Sequence, residues 1–270
     1  MSILTRFGNR ITGRRASAGL RPVARLEDFI YNDAPKVDRI IFICGLHRSG
    51  TTLLERLLAA RFRLSYLRAS VPESEGQHMQ SVYRPASDYG GPGHFAFSRA
   101  MRNDLESLGK AEICRERIIT DWSHFVVGES ATQLEKSPPN LTKIDWLRRV
   151  FPESLFVIMT RDPRAVSAAT QKWSQTSLPE LMMHWNVAYS LAVEDFRKED
   201  CTVIRYEDLI QTPEAEIGRL AEFLRLVPRV VTETLEGRHN HLQDFNTRYF
   251  KMHEDFRYGK GIWNHFGYEA

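Results

Sequence analysis

The stretch Gly45-Leu-His-Arg-Ser-Gly-Thr-Thr52 has the spacing of a phosphate-binding loop: a glycine, four residues, a second glycine, then hydroxyl residues. Between a strand and a helix, such a loop turns backbone N–H groups and the positive end of the helix dipole toward an anion. A nucleoside triphosphatase would add a lysine for the β- and γ-phosphates and a hydroxyl on magnesium. Here Thr51 occupies the lysine position, and the cation comes earlier, at Arg48, behind His47. A triphosphate–magnesium reading therefore loses its main charge contact. The basic residues Lys136 and Arg161 recur just past two later strand-like runs. His239 and His241 form an HxH pair without a third ligand, read as surface polar residues, so no metal site is expected.

The elements that must position these residues are legible as periodicity. Arg39–Cys44 is a short β-branched run, the mark of a buried parallel strand, and Thr51–Ala60 reads as the helix after the loop. Residues 70–95, rich in Ser, Pro, Gly and Tyr, read as a long loop or lid, and helical periodicity returns over 97–116. Thr132–Glu135 reads as a short strand and Asn140–Val150 as a helix. Leu155–Met159 is a clear strand, with a helix from Arg164 to about Trp173. A long helix spans 180–197, Cys201–Arg205 is a further strand, and Thr212-Pro213 opens a helix with threonine as cap. Alternating strands and helices predict an α/β three-layer fold, a central parallel sheet flanked by helices on both faces. In such a sheet Gly45, Lys136 and Arg161 share the C-terminal edge, where ligands bind.

The 270 residues suit one α/β domain over 37–270 behind a basic lead-in, 1–36. That lead-in carries Arg6, Arg10, Arg14, Arg15, Arg21 and Arg25, and reads as a solvated arm, a peripheral membrane contact or a transit peptide. A net charge of +3 implies no general nucleic-acid affinity. The three cysteines are far apart and read as small apolar residues in a reducing, cytoplasmic compartment. No run of about 18 apolar residues marks a membrane span.

Several motifs, in order, resemble the sulfotransferases that use 3′-phosphoadenosine 5′-phosphosulfate. Arg48-Ser-Gly-Thr-Thr52 is similar to their 5′-phosphosulfate loop, Glu135-Lys-Ser-Pro-Pro-Asn140 to their Lys-Thr-Pro segment, and Thr160-Arg-Asp-Pro-Arg-Ala-Val-Ser167 to their 3′-phosphate segment. Arg205-Tyr-Glu-Asp-Leu209 and the tail Gly259–Tyr268 extend the likeness over most of 39–268, closest to a bacterial branch resembling tyrosylprotein sulfotransferases. The missing lysine then makes sense, because this donor has no β,γ-phosphate pair to chelate magnesium. The resemblance implies that His47, Arg48 and the amides of Ser49, Gly50, Thr51 and Thr52 hold the 5′-phosphosulfate. Arg161, Ser167, Lys260 and Gly261 would hold the 3′-phosphate. The released product is adenosine 3′,5′-bisphosphate, and no metal is expected.

The resemblance implies three catalytic residues: Arg48, Lys136 as the charge on the transferring group, and Glu75 as the base. Glu75-Gly-Gln is similar to the Glu-Thr-Arg segment of the tyrosylprotein enzymes; Glu73, His78 and His124 are rival bases, and an exposed loop carboxylate is the plain alternative for Glu75. Arg161 reads alternatively as paired with Asp162, and Lys136 as solvated. Two positions depart from the family: Ala169 replaces a serine that contacts the 3′-phosphate, and Pro138 replaces a catalytic histidine. Glu207 and Asp208 read either as orienting basic residues or as a turn, and the five tryptophans as core or lid packing. The acceptor is expected to be a hydroxyl or amine on a small molecule, carbohydrate or lipid, selected by residues 66–110 and 174–185. A small-molecule kinase, with Asp162 on magnesium, and a degenerate nucleotide-binding module remain the rival functions. Oligomeric state is not encoded in these motifs.

Overall fold

A computed structural model describes residues 36–229 and 244–270. The N-terminal arginines, His239 and His241 lie outside the described residues.

The strands are β1 (Arg39–Gly45), β2 (Ser65–Leu67), β3 (Val126–Val127), β4 (Thr132–Lys136), β5 (Leu155–Thr160) and β6 (Cys201–Arg205), in one sheet of order β3-β2-β4-β1-β5-β6. β1 lies parallel between β4 and β5, in the registers Ile43↔Lys136 and Gly45↔Met159; β6 runs parallel to β5, with Thr160↔Arg205. The sheet is parallel except at one edge, where β3 pairs antiparallel with β2.

The helices are α1 (Thr51–Arg61), α2 (Arg99–Ser107), α3 (Ala111–Ser123), α4 (Ile144–Val150), α5 (Pro163–Ser174), α6 (Leu178–Leu191), α7 (Tyr206–Gln211), α8 (Pro213–Phe223) and α9 (Thr247–Phe250). Strand alternation sorts them into layers. Ile41 and Ile43 pack with Leu54, Leu57 and Leu58 of α1 and Leu220 of α8. Phe42 and Cys44 face the other way, toward Trp122 of α3, Leu147 of α4 and Trp185 and Tyr189 of α6. Helices therefore cover both faces, the three-layer arrangement expected. Tyr189 donates its hydroxyl to the Met159 carbonyl at 2.6 Å, tying α6 to the end of β5.

Some expectations need correction. Residues 70–95 form packed single turns, with Met79, Tyr83, Ala86 and Phe95 in the core. The 97–116 helix is two helices, separated around Gly109. Asn140 belongs to a 3₁₀ turn, Pro138–Thr142, ahead of α4, and the 180–197 helix stops at Leu191 before a 3₁₀ turn. Thr212 precedes α8 but caps nothing: its hydroxyl bonds the Asp208 carbonyl at 3.1 Å, one turn back in α7. Trp173 is 54% exposed, while the other four tryptophans are buried.

Candidate active site

The loop after β1 is built for close approach. A Cβ on Gly45 would lie 2.7 Å from the Met159 carbonyl oxygen. Gly50 has φ +104°, and its Cβ would meet Tyr206 at 2.8 Å. Ser49 closes the turn, its Oγ donating to the Leu46 carbonyl at 2.7 Å. No side chain caps α1 and no acid sits in its first turn, so the amides there are unclaimed by side chains. Thr51 is buried and Thr52 half-buried at this helix start. Arg48 is exposed, with φ 70°, and its guanidinium lies over the Trp173 ring at 3.8 Å.

His47 lies with its Nδ1 buried and unpartnered. Burial, with the charges of Lys136, His78 and Arg48, pushes its pKa down to about 3, so the ring is neutral. The equally unpartnered Oγ of Ser167 lines the same small cavity of about 10 Å³, room for about one water.

Beside this loop sits a buried ion pair. Lys136 ends β4, and its Nζ lies 3.5 Å from Glu75 Oε1, with the two side chains only 1% and 5% exposed. The same ammonium donates to the Glu73 carbonyl at 3.0 Å. Gln77 Nε2 donates to Glu75 at 2.5 Å, and His78 Nε2 stands 4.0 Å from it. Burial raises the Glu75 pKa, while Lys136 and Gln77 hold it down. The exposed-carboxylate reading of Glu75 and the solvated reading of Lys136 are both excluded. Among the rivals, the Glu73 residue is exposed with φ 48°, and His124 is exposed beyond α3. Burial lowers the His78 pKa, with Lys143 and Lys136 acting the same way.

Glu135, unassigned from the sequence, holds the Glu75 turn in place. It accepts from the Gly76 amide at 3.0 Å, from Ser137 Oγ at 2.6 Å and from the Asn140 side-chain amide. A Cβ on Gly76 would lie 2.6 Å from Glu135 Oε1, so only glycine allows this docking. The signal available in the sequence was a charged residue inside a strand otherwise buried. Burial also lowers Lys143 to about 8, its ammonium 3.9 Å above the Tyr83 ring.

Arg161 follows β5 and is 8% exposed. Its Nε donates to Asn246 Oδ1 at 2.7 Å, its Nη1 to the Arg48 carbonyl at 3.0 Å, and it lies 4.2 Å above the Tyr206 ring. It does not pair with Asp162, which caps α5 and binds Arg164 at 2.7 Å. Glu207 accepts from the Asp162 amide, from Asn246 Nδ2 at 2.6 Å and from the Tyr268 hydroxyl at 2.8 Å, and so reaches Arg161 only through Asn246. Lys260 is exposed, and the adjoining Ile262 amide is tied to Asn186 of α6 at 2.8 Å. Among the described residues no hydrogen bond joins Lys260 to Arg161. Gly261 packs closely, its Cβ position 2.6 Å from Asn186 Oδ1. Ser167 faces the His47 cavity, whereas Ala169 packs with Tyr249 of α9.

The strand ends thus gather an anion-ready loop, a buried acid–lysine pair and a buried arginine along one sheet edge. Among the described residues no group of three or more His, Cys, Asp or Glu is arranged for a metal ion.

The chain is 27% identical over 205 residues to protein-tyrosine sulfotransferase A of Caenorhabditis elegans, covering 68% of this chain and 49% of that protein. It is 28% identical over 218 residues to protein-tyrosine sulfotransferase 1 of Danio rerio, covering 73% and 55%. The chain thus spans about half the length of the curated relatives it matches. The sulfotransferase domain of the Synechococcus PCC 7002 olefin synthase shares the fold, with a TM-score of 0.53 at 17% identity over 88% of this chain and 98% of that one. The pattern of the sulfotransferase family matches residues 40–227, and the chain belongs to that family.

Proposed function

We propose that this protein transfers a sulfonate from 3′-phosphoadenosine 5′-phosphosulfate to a hydroxyl or amine acceptor. The observation that carries the reading is the buried Glu75–Lys136 pair, 3.5 Å apart, beside a phosphate loop without a lysine. The residues fit the donor: glycines at 45 and 50 leave room for close approach, and Arg161 is a buried cation without an ion pair among the described residues, with Glu207 and Asp244 acting on its charge from further off. The loop amides and Arg48 would hold the 5′-phosphosulfate, and Arg161 the 3′-phosphate. When bound, the donor supplies an activated sulfonate on its 5′-phosphate. Glu75 takes the acceptor proton as the acceptor oxygen or nitrogen bonds sulfur. The sulfur–oxygen bond to the phosphate breaks, and its electron pair stays on the bridging oxygen, released with adenosine 3′,5′-bisphosphate. Lys136 and the loop amides offset that charge, which is larger in the transition state than in the ground state. Glu75 then returns its proton to solvent.

The kinase reading is weakened because Asp162 is engaged by Arg164 and by the start of α5. Because relatives are named for protein tyrosine, we count a phenolic hydroxyl among the candidate acceptors, with small-molecule, carbohydrate and lipid hydroxyls or amines. A reducing, cytoplasmic setting is part of the proposal: the three cysteines are buried and unpaired. Among the described residues no helix is long and apolar enough to cross a membrane.

The test is calorimetric titration with adenosine 3′,5′-bisphosphate, AMP and ATP–magnesium. Transfer of radiolabelled sulfonate to a panel of phenols, alcohols, amines and a tyrosine peptide follows, with and without EDTA. Tightest binding of the bisphosphate and EDTA-resistant transfer support the reading. Tightest binding of ATP–magnesium with transfer of phosphate sinks it.

A further inference from the structure

Gln77 is buried beside Glu75, and its side-chain amide bridges two groups. Its Oε1 accepts from the Ala86 amide at 2.9 Å, and its Nε2 donates to Glu75 Oε2 at 2.5 Å. The Ala86 N–H can only donate. It therefore decides which end of the Gln77 amide is oxygen, and turns the NH₂ group toward the carboxylate. The bridge runs from the Glu75 carboxylate to the 3₁₀ turn Ala86–Tyr89.

The backbone around Gln77 has anchors of its own. The Gln77 N–H donates to Ser137 Oγ at 3.1 Å, and its carbonyl accepts from Gln80 Nε2 at 3.0 Å. Gly76 is held by Glu135 at its amide, 3.0 Å, and by Trp122 Nε1 at its carbonyl, 2.9 Å. The turn is thus fixed by bonds that do not involve the Gln77 side chain, which leaves that amide to act on Glu75.

The two oxygens of Glu75 have different neighbours. Oε1 faces Lys136 Nζ at 3.5 Å, and Oε2 takes the Gln77 hydrogen. His78 Nε2 stands further from Oε2, at 4.0 Å. An N–H donor favours a carboxylate over a protonated acid. Burial pushes the Glu75 carboxyl up; Lys136 and the Gln77 hydrogen bond oppose it, and Glu135 of β4 adds to it. Lys143, ahead of α4, is a further cation that Glu75 acts on.

We propose that Gln77 is a positioning residue for the reaction, holding the Glu75 carboxylate with Oε1 toward Lys136 and keeping it in the form that accepts a proton. The inference rests on the role of Glu75 as base given above.

The experiment compares the full chain with Gln77→Met and Gln77→Glu. Methionine keeps the length and removes both hydrogen bonds. Glutamate keeps an acceptor for the Ala86 amide but sets a second carboxyl against Glu75 Oε2, so it preserves a purely structural bridge and removes the donor to the base. Carbon NMR of glutamate-labelled protein follows the Glu75 carboxyl against pH without donor or acceptor, with Glu75→Gln as the assignment standard. Single-turnover sulfonate transfer is measured over the same pH range, and thermal midpoints check folding. If the methionine variant does not fold, the glutamate variant decides.

In both variants the Glu75 carboxyl should titrate at higher pH, and the acidic limb of the rate should move up with it. At a fixed pH on that limb the rate should fall about 10- to 100-fold, the scale of one hydrogen bond to a charged group. Bisphosphate affinity should stay within about threefold. An unmoved Glu75 titration in the folded variants overturns the proposal, and so does a titration that moves while the rate limb stays in place. An unmodified chain that transfers sulfonate to no member of the acceptor panel overturns the functional reading, and with it the part of Gln77 in the reaction, whatever the titration shows.

Discussion

Glu75→Gln separates the chemistry of the buried pair from its structural role. Glutamine keeps the shape and can still accept the Gln77 hydrogen bond made at 2.5 Å. It loses the charge facing Lys136 at 3.5 Å, but Lys136 keeps the Glu73 carbonyl at 3.0 Å. Removing one partner of a buried pair generally costs about 3–5 kcal/mol. Here burial already outweighs the pairing, since the Glu75 pKa is raised. Folding thus disfavours the carboxylate relative to the unfolded chain, and the net loss should fall below that range. The sign follows: any stability contributed by this raised pKa is fully present below the unfolded value, about 4.3, and is lost as pH rises through the folded value. Glutamine removes that dependence. Turnover should fall about 10²–10⁴-fold, or about 3–5 kcal/mol of barrier. Bisphosphate affinity should stay within about threefold, because Glu75 is assigned to the acceptor. The assay is single-turnover sulfonate transfer against pH, with urea denaturation alongside. In the unmodified chain the rate should climb with pH through the raised Glu75 pKa and then level off; in the variant that acidic limb should vanish. A rate within tenfold of normal, with the acidic limb intact, would refute Glu75 as the base and direct the search to His78.

Lys136→Met leaves the Glu75 carboxylate buried without its cation, so urea denaturation at neutral pH should show a loss of about 3–5 kcal/mol, much of it recovered in acid as Glu75 takes a proton. Gly50→Ala must adopt φ +104° with its Cβ 2.8 Å from Tyr206 and 2.9 Å from Met159; a loss of about 2–4 kcal/mol in the same assay is expected, and near-normal stability would show that the loop relaxes. His47 should remain neutral above about pH 5, because its pKa is pushed down to about 3, so nitrogen NMR should show its ring not titrating there, as is also expected of buried His184. The unfolded chain binds that proton below about pH 6.5 while the folded chain does not, so stability should fall as pH drops from there toward 3, less steeply in His47→Asn.

The phosphate loop, the strands β1, β4, β5 and β6, and the placement of Gly45, Lys136 and Arg161 on one edge are legible in the amino-acid sequence. These are local signals: β-branched runs, glycines at fixed spacing, and a helix start. It did not show β2 and β3, three and two residues long, because no periodicity develops over so few positions. Helix breaks at Gly109 and after Leu191 were hidden for a related reason, since the apolar spacing continues across them. The tertiary structure alone decided the site's electrostatics. Glu75 and Lys136 are 61 positions apart, and whether either is solvated depends on the fold laying the 75–78 turn over β4. Glu135 became a support for that turn only when Gly76 and Asn140 converged on it. Asn246 and Arg161, 85 positions apart, meet because α9 packs on the alanine face of α5. Local pattern encodes where the chain turns and which face is apolar; the charge state of a buried group depends on long-range packing that no local pattern carries.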